Sequence, residues 1–160
     1  MIAATRIIRS APGPFDAEVS LDHDSRLLRR RKLATTAGEV LVDLAKTTSL
    51  EDGDALELSD GSRILVRAKA EPVMVVRGNL ARLAWHIGNR HTPCRIEPDC
   101  LILREDHVLE AMLRRLGAEI GHADMPFCPE GGAYGHGRTF GHAHDPSPRS
   151  PHDHDHHHHA

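Results

Sequence analysis

The sequence predicts an α+β protein: a small all-β unit over residues 1–70, a mixed unit over 71–134 and a tail over 135–160. Three observations predict it. The first half carries short apolar runs separated by Gly and Asp-Gly turns, with no helical periodicity sustained beyond two turns. The second half alternates apolar runs with two amphipathic stretches at helical spacing. After Gly135 the composition shifts to Gly, Pro, Ser, Asp and His, which cannot bury enough apolar surface to fold and reads as disordered.

In the first half, strands are expected at Arg29–Thr36 and Glu39–Ala45, on either side of Gly38. Two more, Ala55–Leu58 and Arg63–Arg67, face each other across Ser59-Asp60-Gly61, an Asp-Gly hairpin signal. The run Arg29-Arg30-Arg31-Lys32, with Arg26 just before it, reads as a solvated edge strand protected by charge. A strand alternates its side chains between faces and no aromatics are interleaved, which argues against a nucleic-acid patch.

Glu71-Pro72 opens the second unit, followed by a strand at Val73–Arg77. Asn79 is the expected N-cap of a helix reaching His91, where Thr92-Pro93 stops it. Leu80, Leu83, Ala84 and Ile87 form one apolar stripe, which His91 continues into the last turn. His86 lies five residues earlier, about 500° of helix, so the two imidazoles should point roughly 140° apart and not chelate one ion together. Strands at Cys94–Glu97 and Leu101–Arg104 flank Pro98-Asp99. Asp106 then caps a second helix that buries Val108, Leu109, Met112, Leu113 and Leu116 and ends at Gly117. Ala118–Ala123 supplies the last strand. The order βαββαβ is that of the ferredoxin-like unit, whose helices cover one face of a sheet and leave the other open to a partner.

Composition excludes several functions. Aromatic residues make up only 3% and the formal net charge is -3, so neither a base-stacking platform nor a general nucleic-acid binder is indicated. The N-terminal MIAATRIIRSAPGPF has charges inside its only apolar stretch, and no run approaches membrane-spanning length. A cytoplasmic protein with no membrane or nucleic-acid partner is expected, with Cys94, Cys100 and Cys128 as reduced thiols. No Cys-x-x-Cys pair is present, so buried small apolar side chains are the default reading of Cys94 and Cys100. Cys128 is expected to be more exposed. The outlier is histidine, with 14 residues, nine of them after Gly135: His136, His142, His144, His152, His154, His156, His157, His158 and His159.

Three separated motifs occur in order: WHIGNRH, then DHVLEAMLRRLG, then MPFCPEGGAY leading into the histidine-rich tail. As a set they resemble UreE, the urease accessory family of nickel metallochaperones, and the LEDGDALEL turn is similar to that family's N-terminal domain. The resemblance implies a homodimer joined through the second unit, in which His91 of each protomer holds one Ni²⁺ as cargo at the interface. It also implies delivery to apo-urease together with an accessory GTPase. His107 matches a peripheral metal position of some members, but the accompanying histidine two residues earlier is Glu105 here, a harder donor.

Ligand chemistry supports part of this. Neutral imidazole suits nickel, and equally zinc and copper, and a twofold axis lets one histidine per protomer make a site. Without the motif, His91 at a helix end would read as a cap against the helix dipole. The tail, with its Asp-His alternation, reads as native and raises the local ligand concentration for any metal nearby. Its affinity should fall as pH drops through about 6.5. An enzyme is not indicated, because no His-Glu-x-x-His helix, phosphate-cradling glycine loop or nucleophile elbow is present. The rival is a general nickel or zinc storage or buffering protein.

Overall fold

The computed structural model describes residues 2–131. The chain runs β1 (Ala3–Ile8), β2 (Ala17–Leu21), β3 (Leu27–Thr35), β4 (Gly38–Ser49), β5 (Ala55–Leu58), β6 (Arg63–Ala68), β7 (Ala70–Arg77), α1 (Leu80–Asn89), β8 (Arg95–Ile96), β9 (Leu101–Arg104), α2 (His107–Arg115) and β10 (Glu119–Pro126). The expectations for residues 135–160 lie outside the described residues.

The first six strands form one sheet in the order β2-β6-β5-β1-β4-β3, with parallel pairs β1–β4 and β2–β6. Inward-facing residues such as Val19, Leu28, Val42, Leu56 and Val66 make a core of its own. The Asp60-Gly61 turn connects β5 and β6 as its sequence requires: Gly61 takes a left-handed φ of 86° and the Asp60 carboxylate accepts the Ser62 N–H. Strand β3 lies at the edge, and Arg29, Arg30, Arg31 and Lys32 are exposed there. Arg26 does not belong with them. It is 3% exposed, for a reason that emerges at the junction below.

The remaining strands form a second sheet in the order β10-β7-β9-β8, antiparallel throughout. Side chains alternate across it. Met74, Val76, Leu101 and Leu103 pack under Leu83 and Ile87 of α1 and Leu109 and Leu113 of α2, while Val73, Cys100 and Ile102 face the other way. Val108, expected in the buried face of α2, is 59% exposed: as the second residue of the helix it falls beside the stripe set by Leu109 and Leu113.

The first strand of the second sheet begins earlier than the expected Val73. Glu71-Pro72 lies inside β7, opposite Met125 and Asp124 of β10. A proline is tolerated there because β9 pairs only from Val73 onward, so no ladder bond to that side is lost. Strand β10 likewise runs to Pro126, beyond the expected Ala123, since an edge strand accepts Pro.

The sheet face that the helices leave bare is not open. Phe127, just past β10, turns onto it and is fully buried against Val73, Cys100 and Ile102. The turn between β2 and β3 closes over the same place. His23 is buried edge-on to the Phe127 ring, with centroids 5.2 Å apart, and its backbone N–H donates to Glu71 Oε2 at 2.8 Å. Asp24 pairs with Arg104 at 2.7 Å. The Arg26 guanidinium donates to the Leu21 carbonyl at 3.1 Å and to the Phe127 carbonyl at 2.5 Å, which is why it is inside rather than on the basic strand.

Candidate metal centre

Helix α1 forms as the sequence demands at its start and departs at its end. The Asn79 side chain accepts the Arg82 N–H at 3.3 Å, and Leu83 and Ile87 are buried with Leu80 and Ala84 packed beside them. The helix stops at Asn89, however, with Arg90 as C-cap. His91 is therefore outside it, exposed, with a left-handed φ of 55°. The expectation that His91 extends the apolar stripe is corrected, and with it the 140° argument, which presumed that both histidines are helical.

The geometry at His91 is a Schellman ending. The Thr92 N–H reaches the Ile87 carbonyl at 3.4 Å and the His91 N–H reaches the Gly88 carbonyl at 3.0 Å. The other helix ends identically: the Ala118 N–H bonds Leu113 O at 3.1 Å and the Gly117 N–H bonds Arg114 O at 3.0 Å, with Gly117 at φ 87°. So α2 uses glycine at the left-handed position, where a missing Cβ removes the clash, and α1 uses histidine. A Cβ in that conformation costs about 1–2 kcal/mol. Strain of this kind accumulates where a side chain is wanted for its chemistry. His86 is half-buried on the helix with its ring edge-on to Trp85, 5.0 Å between centroids.

His107 is the exposed first residue of α2. Asp106 before it caps the helix by accepting the Val108 and Leu109 N–H groups at 2.9 and 3.0 Å. Those amide donors, the Leu109 bond foremost, hold its carboxyl below the ordinary value, with the nearby His107 imidazole adding to the effect. A cleft of about 650 Å³ is lined by Thr92 and Pro93, which follow His91 in the chain, and by Glu105, Asp106 and His107.

Sequence reasoning missed His122. On β10 its Nε2 lies 2.8 Å from Glu110 Oε1 and its Nδ1 lies 3.9 Å from Glu105 Oε1. Glu105 thus faces His122 as well as the cleft. The signal was available, as a histidine in a strand whose register carries it past the start of α2, but no motif marks it. Among the described residues no group of three or more His, Cys, Asp and Glu side chains is arranged to hold a metal ion. The candidate tail ligands His136 to His159 lie outside those residues.

The thiols are poor ligands. Burial pushes the Cys94 thiol up to about 11, helped by the Glu130 carboxylate. Cys100, buried beside Phe127, and Cys128 are also raised by burial. Cys128 is half-buried rather than exposed, because the Phe127 anchor draws it in.

The segment after Phe127 has a defined course. The Glu130 N–H donates to the Cys94 carbonyl at 2.9 Å and its carboxylate accepts the Ile96 N–H at 3.4 Å. The segment therefore lies beside Cys94, which precedes β8 and is three residues along the chain from His91.

Residues 71–160 match the family model of the UreE urease accessory protein C-terminal domain, and residues 3–69 match that of its N-terminal domain. The chain belongs to the UreE family. Among its relatives, the urease accessory protein UreE of Paracoccus denitrificans is 75% identical over 134 residues, covering 84% of this chain and 87% of that protein. The UreE of Cereibacter sphaeroides is 58% identical, covering 84% and 75% of the two chains, and that of Ruegeria pomeroyi 55%, covering 81% and 88%. The two sheets correspond to the two UreE domains. No helix among the described residues is long and apolar enough to cross a membrane.

Proposed function

We propose that this chain is a metallochaperone that carries Ni²⁺ as cargo to apo-urease during assembly of that enzyme. The reading rests most directly on His91, an exposed imidazole kept in a left-handed position that its counterpart Gly117 occupies without strain. In this reading two protomers each present His91 to one ion across a twofold axis, since a single described chain assembles no ligand set of its own. Large apolar side chains support a homodimer: Trp85 on α1 is 65% exposed and Ile96 on β8 is 55% exposed, on the elements that flank His91 in the chain. The sheet order β10-β7-β9-β8 supports a ferredoxin-like reading of the second domain, taken as residues 71–134.

The tail would capture ions and the interface would hold the one for delivery. Glu130, the second-last described residue, is bonded to Cys94, three residues along the chain from His91, which favours transfer over independent storage. His107 and Glu105 line the cleft beside Thr92-Pro93 and are read as a peripheral station. Handover engages apo-urease and the accessory GTPase, and Zn²⁺ or Cu²⁺ would compete for the same nitrogen ligands. The test is activation of apo-urease by full-length wild type and His91→Ala at equal Ni²⁺ loading. Loss of activation in the variant is expected. Equal activation would leave the chain a nickel buffer.

A further inference from the structure

Arg26 is an expensive residue to keep. Its guanidinium sits in the junction at 3% exposure and, among the described residues, donates to only two carbonyls and leaves the buried Nε–H without a hydrogen-bond partner. A buried charge that is incompletely paired is often no more stable than a well-packed apolar side chain of similar volume, so stability alone does not account for it. What it does touch is specific: the Leu21 carbonyl at the end of β2 and the Phe127 carbonyl at the start of the strap, residues 127–131. The strap then runs to the Glu130–Cys94 bond. One guanidinium therefore links the first sheet to the segment that is fastened to Cys94.

We infer that Arg26 is a positioning residue that pins the strap, so that the N-terminal domain governs how firmly the strap holds Cys94, three residues along the chain from His91. The geometric half stands on the hydrogen bonds alone; the consequence for metal rests on the function proposed above.

The test uses full-length Arg26→Met and Arg26→Lys. Amide exchange is followed by residue, and Ni²⁺ affinity is measured with a competing chelator. In Arg26→Met the Glu130 amide should exchange at least about tenfold faster, the factor expected for losing one charge-assisted hydrogen bond. The amides of β1 and β4 to β6 should keep their wild-type rates, and Arg26→Lys, which keeps the charge but has one nitrogen in place of the two that reach Leu21 and Phe127, should fall between. Tight Ni²⁺ binding should weaken severalfold with the number of ions unchanged. Unchanged Glu130 exchange overturns the proposal, as does equal acceleration everywhere or outright unfolding, either of which makes Arg26 an ordinary core residue. Faster Glu130 exchange with unaltered Ni²⁺ affinity overturns the link to metal. A wild type that binds no Ni²⁺ tightly would defeat the proposed function while leaving the exchange comparison decisive for the strap.

Discussion

Replacing His91 with glycine separates what the position costs from what it does. The Schellman bonds at His91 use only backbone groups, so glycine retains both and removes the Cβ that the left-handed φ of 55° crowds. Relief is about 1–2 kcal/mol. The added freedom of glycine in the unfolded chain returns about 0.4–1 kcal/mol of that. The expected net gain is therefore about 0.5–1 kcal/mol, roughly 2–4 °C in Tm. The reference is His91→Ala, which keeps the Cβ and gains nothing. Comparing the two cancels whatever the imidazole itself contributes, since both lack it. Differential scanning calorimetry of both variants in chelator-treated buffer decides it. A glycine variant no more stable than the alanine variant would refute the claim that His91 is held at a conformational cost.

Three further outcomes follow from the same structure. Trp85→Glu, at a 65% exposed position, should leave the fold intact and convert a dimer to a monomer, as read by sedimentation velocity; an unchanged mass would remove α1 from the interface. Raising the Cys94 thiol from 9.0 to about 11 lowers its thiolate fraction about a hundredfold at neutral pH, so native alkylation should be slower than in the unfolded chain by about that factor. The sign also sets a stability window: the fold prefers the protonated thiol, so this contribution is full below pH 9 and is lost as pH rises through about 11. Asp106→Ala should fray the start of α2 and lower Tm. Because the carboxyl is held below its ordinary value, the cap helps above about pH 4 and fades as pH falls through the lowered value, so wild type and variant should converge in acid.

Much of the fold was legible because it follows from local signals. Asp60-Gly61, Asn79, Asp106 and Gly117 carry their backbone roles in their side chains, and the stripes of α1 and α2 are periodic. What was not legible depends on partners distant in sequence. Arg26 reads as part of a basic run until Phe127, 101 residues away, accepts its hydrogen bond. Pro72 reads as lying ahead of the strand at Val73 until the pairing shows that only one neighbour lies beside it. At the candidate site, the apolar stripe carried the expected helix on to His91, because a non-glycine residue at a left-handed helix end carries no sequence signature. His122 stayed hidden for a related reason: it reaches Glu110 only through the return of β10 past α2.

In the proposed function one imidazole from each of two chains holds the delivered ion. The most direct test is a Ni²⁺ titration of the chain ending at Tyr134, with mass measured by light scattering in the same sample, for wild type and His91→Gly. One tight ion per two chains in the wild type, and none in a variant that remains dimeric and folded, is the predicted result. One ion per single chain, or a tight site that survives in His91→Gly, would contradict it.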